Sequence, residues 1–537
     1  MENAGIGSWI HRRRRKSAGR TALISSSGEL SYEALADRID QLASALADRG
    51  VGKGDRVAYL GDNHPAFLET LFAAGTLGAI FVPLNTRLAP PEVRFALQDS
   101  GSRVLVHSEL LSDTALSGST GTSVTHRVVV TEDSLQPAAG DGGSRAPNSG
   151  NVTVETLEDV LRSGSPEHRE VAVTLEDPAI ILYTSGTTGF PKGALLSHGN
   201  VTWNCVNVLV DYDVTSNDVA LMISPMFHAA SLTMGVLPAL LKGASVVLEP
   251  RFDPGRALEL IERYRVTNIS GVPTTYQLIC EHPAWETTDI SSLQKLTCGG
   301  SAVPLRVINA YEERGLAFSG GYGMTETAPG ATSLQPHMSR AKAGSAGLPH
   351  FFTDVRIADP VGDVLMAAGE VGEIQIQGPN VIAQYWNRPD ASAEAFADGD
   401  WFRSGDMGYF DPDGYLFISD RLKDMIISGG ENIYPAEIEQ LILQLEAVGS
   451  VAVVGVPDEK WGEIPVAMVE LRDGYHLDED AIRHHLLGQL ARYKIPKKVI
   501  YVDDLPRTAS GKIRKADLRV QAAHSGPTGA AHPGGAR

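Results

Sequence analysis

Cysteine is scarce in this sequence, and long apolar runs are absent. The 537 residues include 3 cysteines, Cys205, Cys280 and Cys298, which stand far apart without C-x-x-C spacing. With no clustered histidines either, the sequence suggests neither a disulfide framework nor a structural zinc site, and it favours a reducing cytoplasm. No stretch approaches the roughly 18 consecutive apolar residues of a membrane span, and residues 1–10 lack the apolar core of a signal peptide. We therefore expect a cytoplasmic protein without a membrane span.

Basic residues are fewer than acidic ones. The chain has 46 Lys and Arg against 65 Asp and Glu, which gives a formal net charge of −19. Such a charge repels nucleic acid and anionic lipid at long range, so neither is expected as a partner. The run Arg12-Arg13-Arg14-Arg15-Lys16 is a local exception. Because no aromatic or apolar residue accompanies it, we interpret it as the solvated basic face of an N-terminal helix.

Length and composition predict a folded protein of several units. Hydrophobic residues make up 43% and charged residues 21%, as is ordinary for globular proteins, and the length exceeds the roughly 100–200 residues of one domain. Strand-like segments at 57–60, 79–84 and 104–107 alternate with helical patterns, such as the one from Asn63 through Leu77. This βαβ order predicts a parallel sheet covered by helices.

The pattern changes further along the chain. Residues 117–151 are rich in Gly, Ser, Thr and Pro, which predicts an exposed excursion. Short alternating segments between 355 and 418 predict a more antiparallel subdomain. A small unit follows, with a helix from Pro435, two strands, and a second helix near 479–490.

We therefore predict an α/β protein with two main domains. The large N-terminal domain (1–420) contains helix-covered, mostly parallel sheets and a distorted antiparallel subdomain. Residues 421–424 form a hinge, residues 425–520 form a small α+β C-terminal domain, and residues 521–537 have the composition of a disordered tail.

The most informative motif follows the predicted strand 179–183. It reads Tyr183-Thr184-Ser185-Gly186-Thr187-Thr188-Gly189-Phe190-Pro191-Lys192-Gly193. Its glycines let backbone N–H groups turn towards one point, its hydroxyls add donors, and Lys192 adds a cation, which together predict a phosphate-binding loop. The spacing differs from G-x-x-x-x-G-K-[ST], so the mechanism of that common loop does not apply.

The motif resembles the phosphate loop of the adenylate-forming superfamily, which includes acyl-CoA synthetases, adenylation domains of peptide synthetases and beetle luciferases. The resemblance extends roughly from Arg20 to Leu518. Further matches occur in the family's order at Gly321-Tyr322-Gly323-Met324-Thr325-Glu326, Ser404-Gly405-Asp406, Asp420-Arg421-Leu422-Lys423-Asp424, Ser428-Gly429-Gly430-Glu431-Asn432 and Pro506–Lys512.

The resemblance implies ATP and Mg²⁺ as cofactors and assigns the residues that bind them. Tyr322 stacks on adenine, Thr325 contacts phosphate, and Glu326 binds Mg²⁺. Asp406 and Arg421 hold the ribose. The implied nucleotide-binding set is Thr184, Ser185, Gly186, Thr187, Thr188, Gly189, Lys192, Gly300, Ser301, Gly321, Tyr322, Gly323, Thr325, Asp406 and Arg421.

By the same resemblance, Lys512 is the catalytic lysine of adenylation. Attack of a carboxylate on the α-phosphorus brings two anions together, and a cation aimed at the developing charge is worth roughly 10²–10³ in rate. The thiol must later reach the same carbonyl, so the resemblance implies that the small domain swings about Lys423. Gly429 and Gly430 then line the thiol tunnel, and His228, a further catalytic position, lies near its mouth.

The residue at position 228 also helps to predict which class of acid is the substrate. In adenylation domains for amino acids it is generally an aspartate that pairs with the substrate ammonium, and this chain lacks that partner. The implied acyl-pocket residues are His228, Ala229, Ala230, Thr274, Gly321, Met324 and Ala328. They are mostly small or apolar, which fits an acid with an aliphatic or aryl tail.

The leading hypothesis is therefore an acyl- or aryl-CoA ligase that uses ATP, Mg²⁺ and CoA and acts as a monomer or homodimer. A ligase that loads a separate carrier protein, and a diazotase that activates nitrite towards an aryl amine, remain open. A catalytically silent scaffold is disfavoured, because Lys192, Glu326, Asp406 and Lys512 occur together.

Overall fold

The computed structural model describes residues 3–131, 152–184, 191–299, 303–421, 424–428, 431–458, 460–487, 489–490, 492–507 and 513–524. The chain forms two compact units. Unit one comprises Met1–Arg356 and Gln375–Arg403, and unit two comprises Ile357–Ile374 and Ser404–Arg537. The predicted α/β class is confirmed, because both parallel and antiparallel sheets are combined with helices.

The strands, in chain order, have the following bounds. They are β1 Thr21–Ser25, β2 Gly28–Ser31, β3 Arg56–Leu60, β4 Ile80–Leu84, β5 Val104–Ser108, β6 His126–Val130, β7 Thr153–Thr156, β8 Pro178–Thr184, β9 Lys192–Ser197, β10 Val219–Met222, β11 Ser245–Leu248, β12 Asn268–Gly271, β13 Lys295–Gly299, β14 Phe318–Tyr322, β15 Thr332–Leu334, β16 Leu348–Pro349, β17 Asp354–Ala358, β18 Gly372–Gln377, β19 Phe396–Ala397, β20 Trp401–Phe410, β21 Leu416–Arg421, β22 Ile426–Ser428, β23 Glu431–Ile433, β24 Val448–Asp458, β25 Gly462–Leu471 and β26 Lys498–Tyr501.

The helices have the following bounds. They are α1 Trp9–Ser17, α2 Tyr32–Asp48, α3 Pro65–Thr76, α4 Pro90–Ser100, α5 Ser112–Ser119, α6 Leu157–Ser163, α7 His198–Asp211, α8 Leu237–Lys242, α9 Pro254–Tyr264, α10 Pro273–Cys280, α11 Leu305–Glu312, α12 Pro389–Glu394, α13 Pro435–Ile442, α14 Glu479–Leu486 and α15 Lys515–His524. A π-helical segment, Ala230–Val236, precedes α8. None of the helices within the described ranges combines the length and apolar character that crossing a membrane requires.

Unit one contains a seven-stranded sheet in the order β7-β6-β5-β3-β4-β8-β9, parallel except for the antiparallel pair β8–β9. Its central strands are near-continuous apolar runs because helices cover both faces. Helix α3 begins at Pro65, where His64 accepts a hydrogen bond from the backbone of Ala66 (3.1 Å). Phe67 on this helix meets Tyr59 and Phe81 edge-on at 5.0 Å between ring centroids. This packing confirms the βαβ prediction for the first third of the chain.

Unit one also contains a nine-stranded sheet in the order β16-β15-β14-β13-β12-β10-β11-β1-β2. The strands from β14 across to β1 are parallel, and the two ends of the sheet are antiparallel. Because β10, β12, β13 and β14 run the same way, their carboxyl ends meet at one edge. That edge carries several of the predicted site residues.

Unit two is more antiparallel. Strands β20 and β21 form an antiparallel pair over residues 406–421, as the short alternating segments predicted. Further along, β24 and β25 form a long antiparallel hairpin that β26 joins in parallel. Helices α13 and α14 pack their apolar residues on one face of this sheet, and α15 packs Leu518 on other residues of β24 and β25.

Some predicted details need correction. The basic run does form helix α1, but it is not simply solvated: Arg13 donates to Leu241 O at 2.7 Å, and Arg14 contacts acidic residues of α2. Helix α14 ends at Leu486 rather than near 490. Helix α15 extends to His524, so the segment predicted as a tail begins with helical residues.

Candidate active site

The carboxyl edge of the nine-stranded sheet gathers predicted site residues from distant parts of the sequence. His228 follows β10, and Thr274 lies in the first turn of α10, just after β12. Gly299 ends β13 and pairs with Gly321 of β14, the strand that ends at Tyr322. Ligands in open α/β sheets bind at this kind of edge.

The segment after β14 turns back sharply. A Cβ on Gly323 would lie 1.5 Å from the carbonyl oxygen of Pro329, so only glycine fits there. The backbone N–H of Met324 donates to Thr327 Oγ1 at 3.1 Å, and Thr325–Thr327 form a short 3₁₀ turn. The turn therefore presents Thr325 and Glu326 side by side on a tightly folded loop.

Buried amide and hydroxyl side chains hold this loop, which we call the 323–330 loop. Asn380 Nδ2 donates to the carbonyls of Thr327 (2.7 Å) and Gly330 (2.6 Å). Asn204 Oδ1 accepts from the N–H of Gly330 (2.9 Å), and Thr233 Oγ1 donates to Ala328 O (2.8 Å). Each such bond contributes about 1 kcal/mol net, and an unmet partner costs more. These hydrogen bonds therefore hold the backbone of the 323–330 loop in place.

Tyr385 connects the two predicted charged residues of unit one. Its hydroxyl donates to Glu326 Oε1 at 3.0 Å, and the ammonium of Lys192 lies 5.5 Å from its ring centroid. Residues around it are bonded to β9: Tyr385 bridges to Ala194, and Trp386 N–H donates to Gly193 O at 2.7 Å. Burial, and secondly the Glu326 carboxylate, raise the pKa of Tyr385, so its hydroxyl stays protonated as a donor.

Sequence reasoning missed both Tyr385 and Asn380. Their segment has neither helical nor strand periodicity, and its Tyr-Trp pair fits an ordinary surface turn as well as a site. Tyr385 lies 59 positions from Glu326 along the chain. Only the tertiary pairing of this segment with β9 reveals the contact.

The predicted phosphate loop lies between β8 and β9. Thr184 and Lys192 are antiparallel partners, and Thr184 Oγ1 donates to the carbonyl of Lys192 at 3.4 Å. The strands therefore bring the two ends of the loop together and place Lys192 at the start of β9. Ser185, Gly186, Thr187, Thr188, Gly189, Gly300 and Ser301 lie outside the described residues.

The predicted acyl-pocket positions differ in exposure. Ala229 (4% exposed) and Ala328 (0%) lie in the apolar core, whereas Ala230 and Thr274 are exposed. His228 packs against Phe227 with ring centroids 4.6 Å apart. Met324 is partly buried.

Glycines shape the space between these positions. A Cβ on Gly321 would meet Thr332 O at 2.9 Å and Tyr212 Oη at 3.2 Å, so a larger residue would displace the strand end. Beyond Gly299, in contrast, no atom of the described residues lies within 4 Å of the position a Cβ would take. A ligand can therefore approach the backbone there.

In unit two, the predicted ribose-binding pair is adjacent on neighbouring strands. Asp406 of β20 and Arg421 of β21 are cross-strand partners. Asp406 is 6% exposed, and Gly405 before it has φ +69° and donates its N–H to Glu373 Oε1 at 3.2 Å. The side chain of Arg421, and all of Lys423, Gly429, Gly430 and Lys512, lie outside the described part of the chain.

Comparison with known proteins matches almost the whole chain. The AMP-binding enzyme family matches residues 10–386, and the AMP-binding enzyme C-terminal domain matches residues 437–512. A feruloyl-CoA synthase from Amycolatopsis sp is 48% identical over 97% of this chain and 99% of the relative. An indoleacetate–CoA ligase from Aromatoleum aromaticum is 43% identical over 96% of this chain and 97% of the relative.

A solved structure agrees with the fold. The O-succinylbenzoate coenzyme A synthetase MenE from Bacillus subtilis, in complex with ATP and magnesium ion, has a TM-score of 0.81 and 31% sequence identity. The match covers 96% of this chain and 98% of that one. Together with the family matches and the site at the sheet edge, it confirms the predicted adenylate-forming resemblance. The chain belongs to the AMP-binding enzyme family and is an AMP-forming acid–CoA ligase.

Proposed function

We propose that this ligase activates an aromatic carboxylic acid. The proposal rests mainly on the composition of the sheet edge. There Ala230, Gly321 and Met324 provide small or apolar positions, and no atom among the described residues lies within 4 Å of a Cβ at Gly299. Bare backbone at the strand ends suits the close approach of a flat ring. Feruloyl, indoleacetyl and O-succinylbenzoyl groups, named for the relatives above, all contain aromatic rings and support the same class.

The first half-reaction joins this acid to AMP. The carboxylate oxygen bonds to the α-phosphorus of ATP, the bond to the bridging oxygen breaks, and pyrophosphate leaves. Lys192 and the loop before it hold the phosphates, Tyr322 stacks on adenine, and Asp406 with Arg421 holds the ribose. Lys512 balances the charge that develops on the α-phosphate.

Glu326 offers a hard oxygen ligand of the kind that Mg²⁺ prefers, and the hydroxyl of Thr325 is available to a phosphate. Glu326 is partly buried and already oriented by Tyr385, so the donor set fits the ion. When bound, Mg²⁺ supplies positive charge that offsets the phosphates. The protein's own part is to fix the carboxylate and to keep Lys192 close by, over the tyrosine ring.

The second half-reaction transfers the acyl group to CoA. The thiolate sulfur bonds to the carbonyl carbon, and the acyl–oxygen bond breaks to release AMP. Lys512 must leave the site for this step, by a swing about Lys423. Gly429 and Gly430 then line the thiol tunnel, with His228 near its mouth.

A substrate panel tests the proposal. AMP release is measured with ferulate, indoleacetate, O-succinylbenzoate and hexadecanoate, each with CoA or a carrier protein, and with nitrite plus aminobenzoate. We expect AMP with CoA and aromatic acids, with kcat/KM at least about tenfold above that for hexadecanoate, a difference of about 1.4 kcal/mol. A preference for hexadecanoate would refute the aromatic class, and AMP with nitrite and aminobenzoate alone would refute CoA as acceptor.

A variant pair tests the pocket itself. Ala230→Phe places a ring at an exposed position beside the sheet edge and should raise KM for the acid while leaving KM for ATP unchanged. Ala368→Phe adds the same bulk in an exposed turn of unit two and should change neither constant. Equal behaviour of the two variants would place the acyl site elsewhere.

A further inference from the structure

A histidine–aspartate cluster lies in unit one among residues that the ligase reaction does not use. It combines His11 of α1, Asp40 of α2 and His168 from the segment after α6. His168 Nδ1 lies 2.7 Å from Asp40 Oδ1, and His11 Nε2 lies 3.6 Å from the same oxygen. One ligand atom from each residue falls within 4.8 Å of the others. Three segments distant in sequence thus aim metal-ligating atoms at one point.

His11 is the unexplained member of the cluster. Its side chain is 9% exposed, and its Nε2 has no hydrogen-bond partner among the described residues. At 3.6 Å from Asp40 Oδ1, the nitrogen is too distant for a hydrogen bond. A buried polar atom left unpaired costs about 1–3 kcal/mol, and buried polar atoms are otherwise almost always paired. Other buried histidine nitrogens, such as those of His107 and His198, also lack a partner, but the nitrogen of His11 lies beside a carboxylate oxygen and a second imidazole. That grouping points to a shared ligand.

The two carboxylate oxygens of Asp40 have different neighbours. Its Oδ2 lies 3.3 Å from Arg14 Nη1, and Arg14 also contacts Asp37. Oδ1 is left to the two imidazoles. The Asp40 side chain is 0% exposed, so water does not satisfy it, and the charge of Arg14 is shared with Asp37. One carboxylate oxygen thus remains available to a cation.

The donor set selects the kind of ion. Two imidazole nitrogens with one carboxylate oxygen suit Zn²⁺ and similar divalent transition metals, whereas Mg²⁺ and Ca²⁺ prefer oxygen ligands alone. Zn–ligand bonds of about 2.0–2.1 Å in a tetrahedron separate the ligand atoms by about 3.3 Å. The two separations from Asp40, 2.7 and 3.6 Å, lie on either side of that value. The His168 side chain is 34% exposed, which leaves room for a water molecule as fourth ligand.

We propose that His11, Asp40 and His168 bind one Zn²⁺ ion, which ties α1 to α2 and to the segment after α6. The ion replaces the hydrogen bond between His168 and Asp40 and gives the His11 nitrogen its missing partner. Its role is structural, because it joins elements of unit one and contributes no group to acid activation. The site is distinct from the Mg²⁺ site proposed at Glu326.

Metal binding by the full-length chain tests the proposal. Protein treated with a chelator and then desalted is titrated with ZnCl₂ by calorimetry in the presence of excess Mg²⁺. We expect one Zn²⁺ per chain and a higher melting temperature once it is bound. Co²⁺ should give a visible ligand-field absorption that Zn²⁺ abolishes.

Variants assign the site. His168→Ala removes a half-exposed ligand and should lower Zn²⁺ affinity by more than the roughly 10–100-fold that changes outside the ligand shell cause. His11→Gln should do the same, and both should lose the Zn²⁺-dependent gain in melting temperature. His484→Ala, which removes an exposed histidine of α14, should bind Zn²⁺ as the parent does. Absence of Zn²⁺ binding by the parent, or unchanged binding by His168→Ala, would overturn the proposal.

Discussion

The contact between Tyr385 and Glu326 gives a sharp test of the proposed metal and phosphate site. Tyr385→Phe removes the hydroxyl that donates to Glu326 Oε1 at 3.0 Å but keeps the ring beneath Lys192. A hydrogen bond to a charged group contributes about 1.5–3 kcal/mol. Because the site is only partly buried, water replaces part of the lost hydrogen bond. We therefore expect the variant to lose about 1–2 kcal/mol of transition-state stabilisation. That corresponds to a roughly 5–30-fold fall in kcat/KM for adenylation.

The assay is acid-dependent exchange of pyrophosphate into ATP, measured over a range of Mg²⁺ concentrations. The variant should need more Mg²⁺ for half-maximal rate, since its carboxylate is less well oriented. The raised pKa of Tyr385 keeps the hydroxyl protonated throughout the neutral range, so the size of the effect should not change between pH 7 and 9.

A double-mutant cycle shows whether Tyr385 acts through the carboxylate. In a Glu326→Gln background, Tyr385→Phe should lower kcat/KM for adenylation much less than it does in the parent, because the charged acceptor is gone. Tyr475→Phe is the matched control: Tyr475 also donates to a glutamate, Glu446, at 3.0 Å, but both are exposed. The reasoning fails if Tyr385→Phe matches the parent at every Mg²⁺ concentration, or if its cost is the same in both backgrounds.

Further predictions concern the 323–330 loop, the proposed catalytic lysine and acid stability. Asn380→Ala leaves two buried carbonyls unpaired and should destabilise unit one by about 2–4 kcal/mol, seen as a lower melting temperature. Asn217→Ala, at an exposed turn position, should not lower the melting temperature, and equal melting curves for the two variants would contradict this. Lys512→Ala should slow adenylation by roughly 10²–10³ and spare thioester formation from a supplied adenylate, so equal loss of both steps would contradict the swing. Burial lowers the pKa of His107 and His198 to about 4, so the unfolded chain takes up protons first as the pH falls below about 6.5. The free energy of unfolding should therefore fall between pH 7 and pH 5 by about 2 kcal/mol per histidine, seen as lower urea midpoints, and unchanged midpoints would refute the burial of these two histidines as neutral groups.

Much of the fold was predictable because local patterns and tertiary structure agree. The apolar run at 79–84 becomes the buried strand β4, and Pro65 stands at the start of α3, where its missing N–H costs nothing. Topology then brings His228 and Thr274 to the same edge, since the strands before them are parallel neighbours.

The remainder depends on pairings that periodicity does not encode. Tyr385 and Asn380 reach the site because their segment lies against β9 and the 323–330 loop, far away in sequence. The arginines of α1 looked like a solvated face, since nothing in their own segment reveals the acidic residues of α2. Helix α14 ends early because Leu487 turns to an extended conformation, although the leucine pattern continues beyond it.

The way the 323–330 loop is fastened has a consequence for catalysis. Its anchors are amides and hydroxyls from Asn204, Asn380 and Thr233, and none of these groups ionises in the working range of pH. Dissolved salt weakens interactions between exposed charges, but it has little effect on hydrogen bonds between buried neutral groups. Triphosphate, metal and pyrophosphate can therefore arrive and depart, each altering the local field by several charges, while the frame that carries Glu326 keeps its shape.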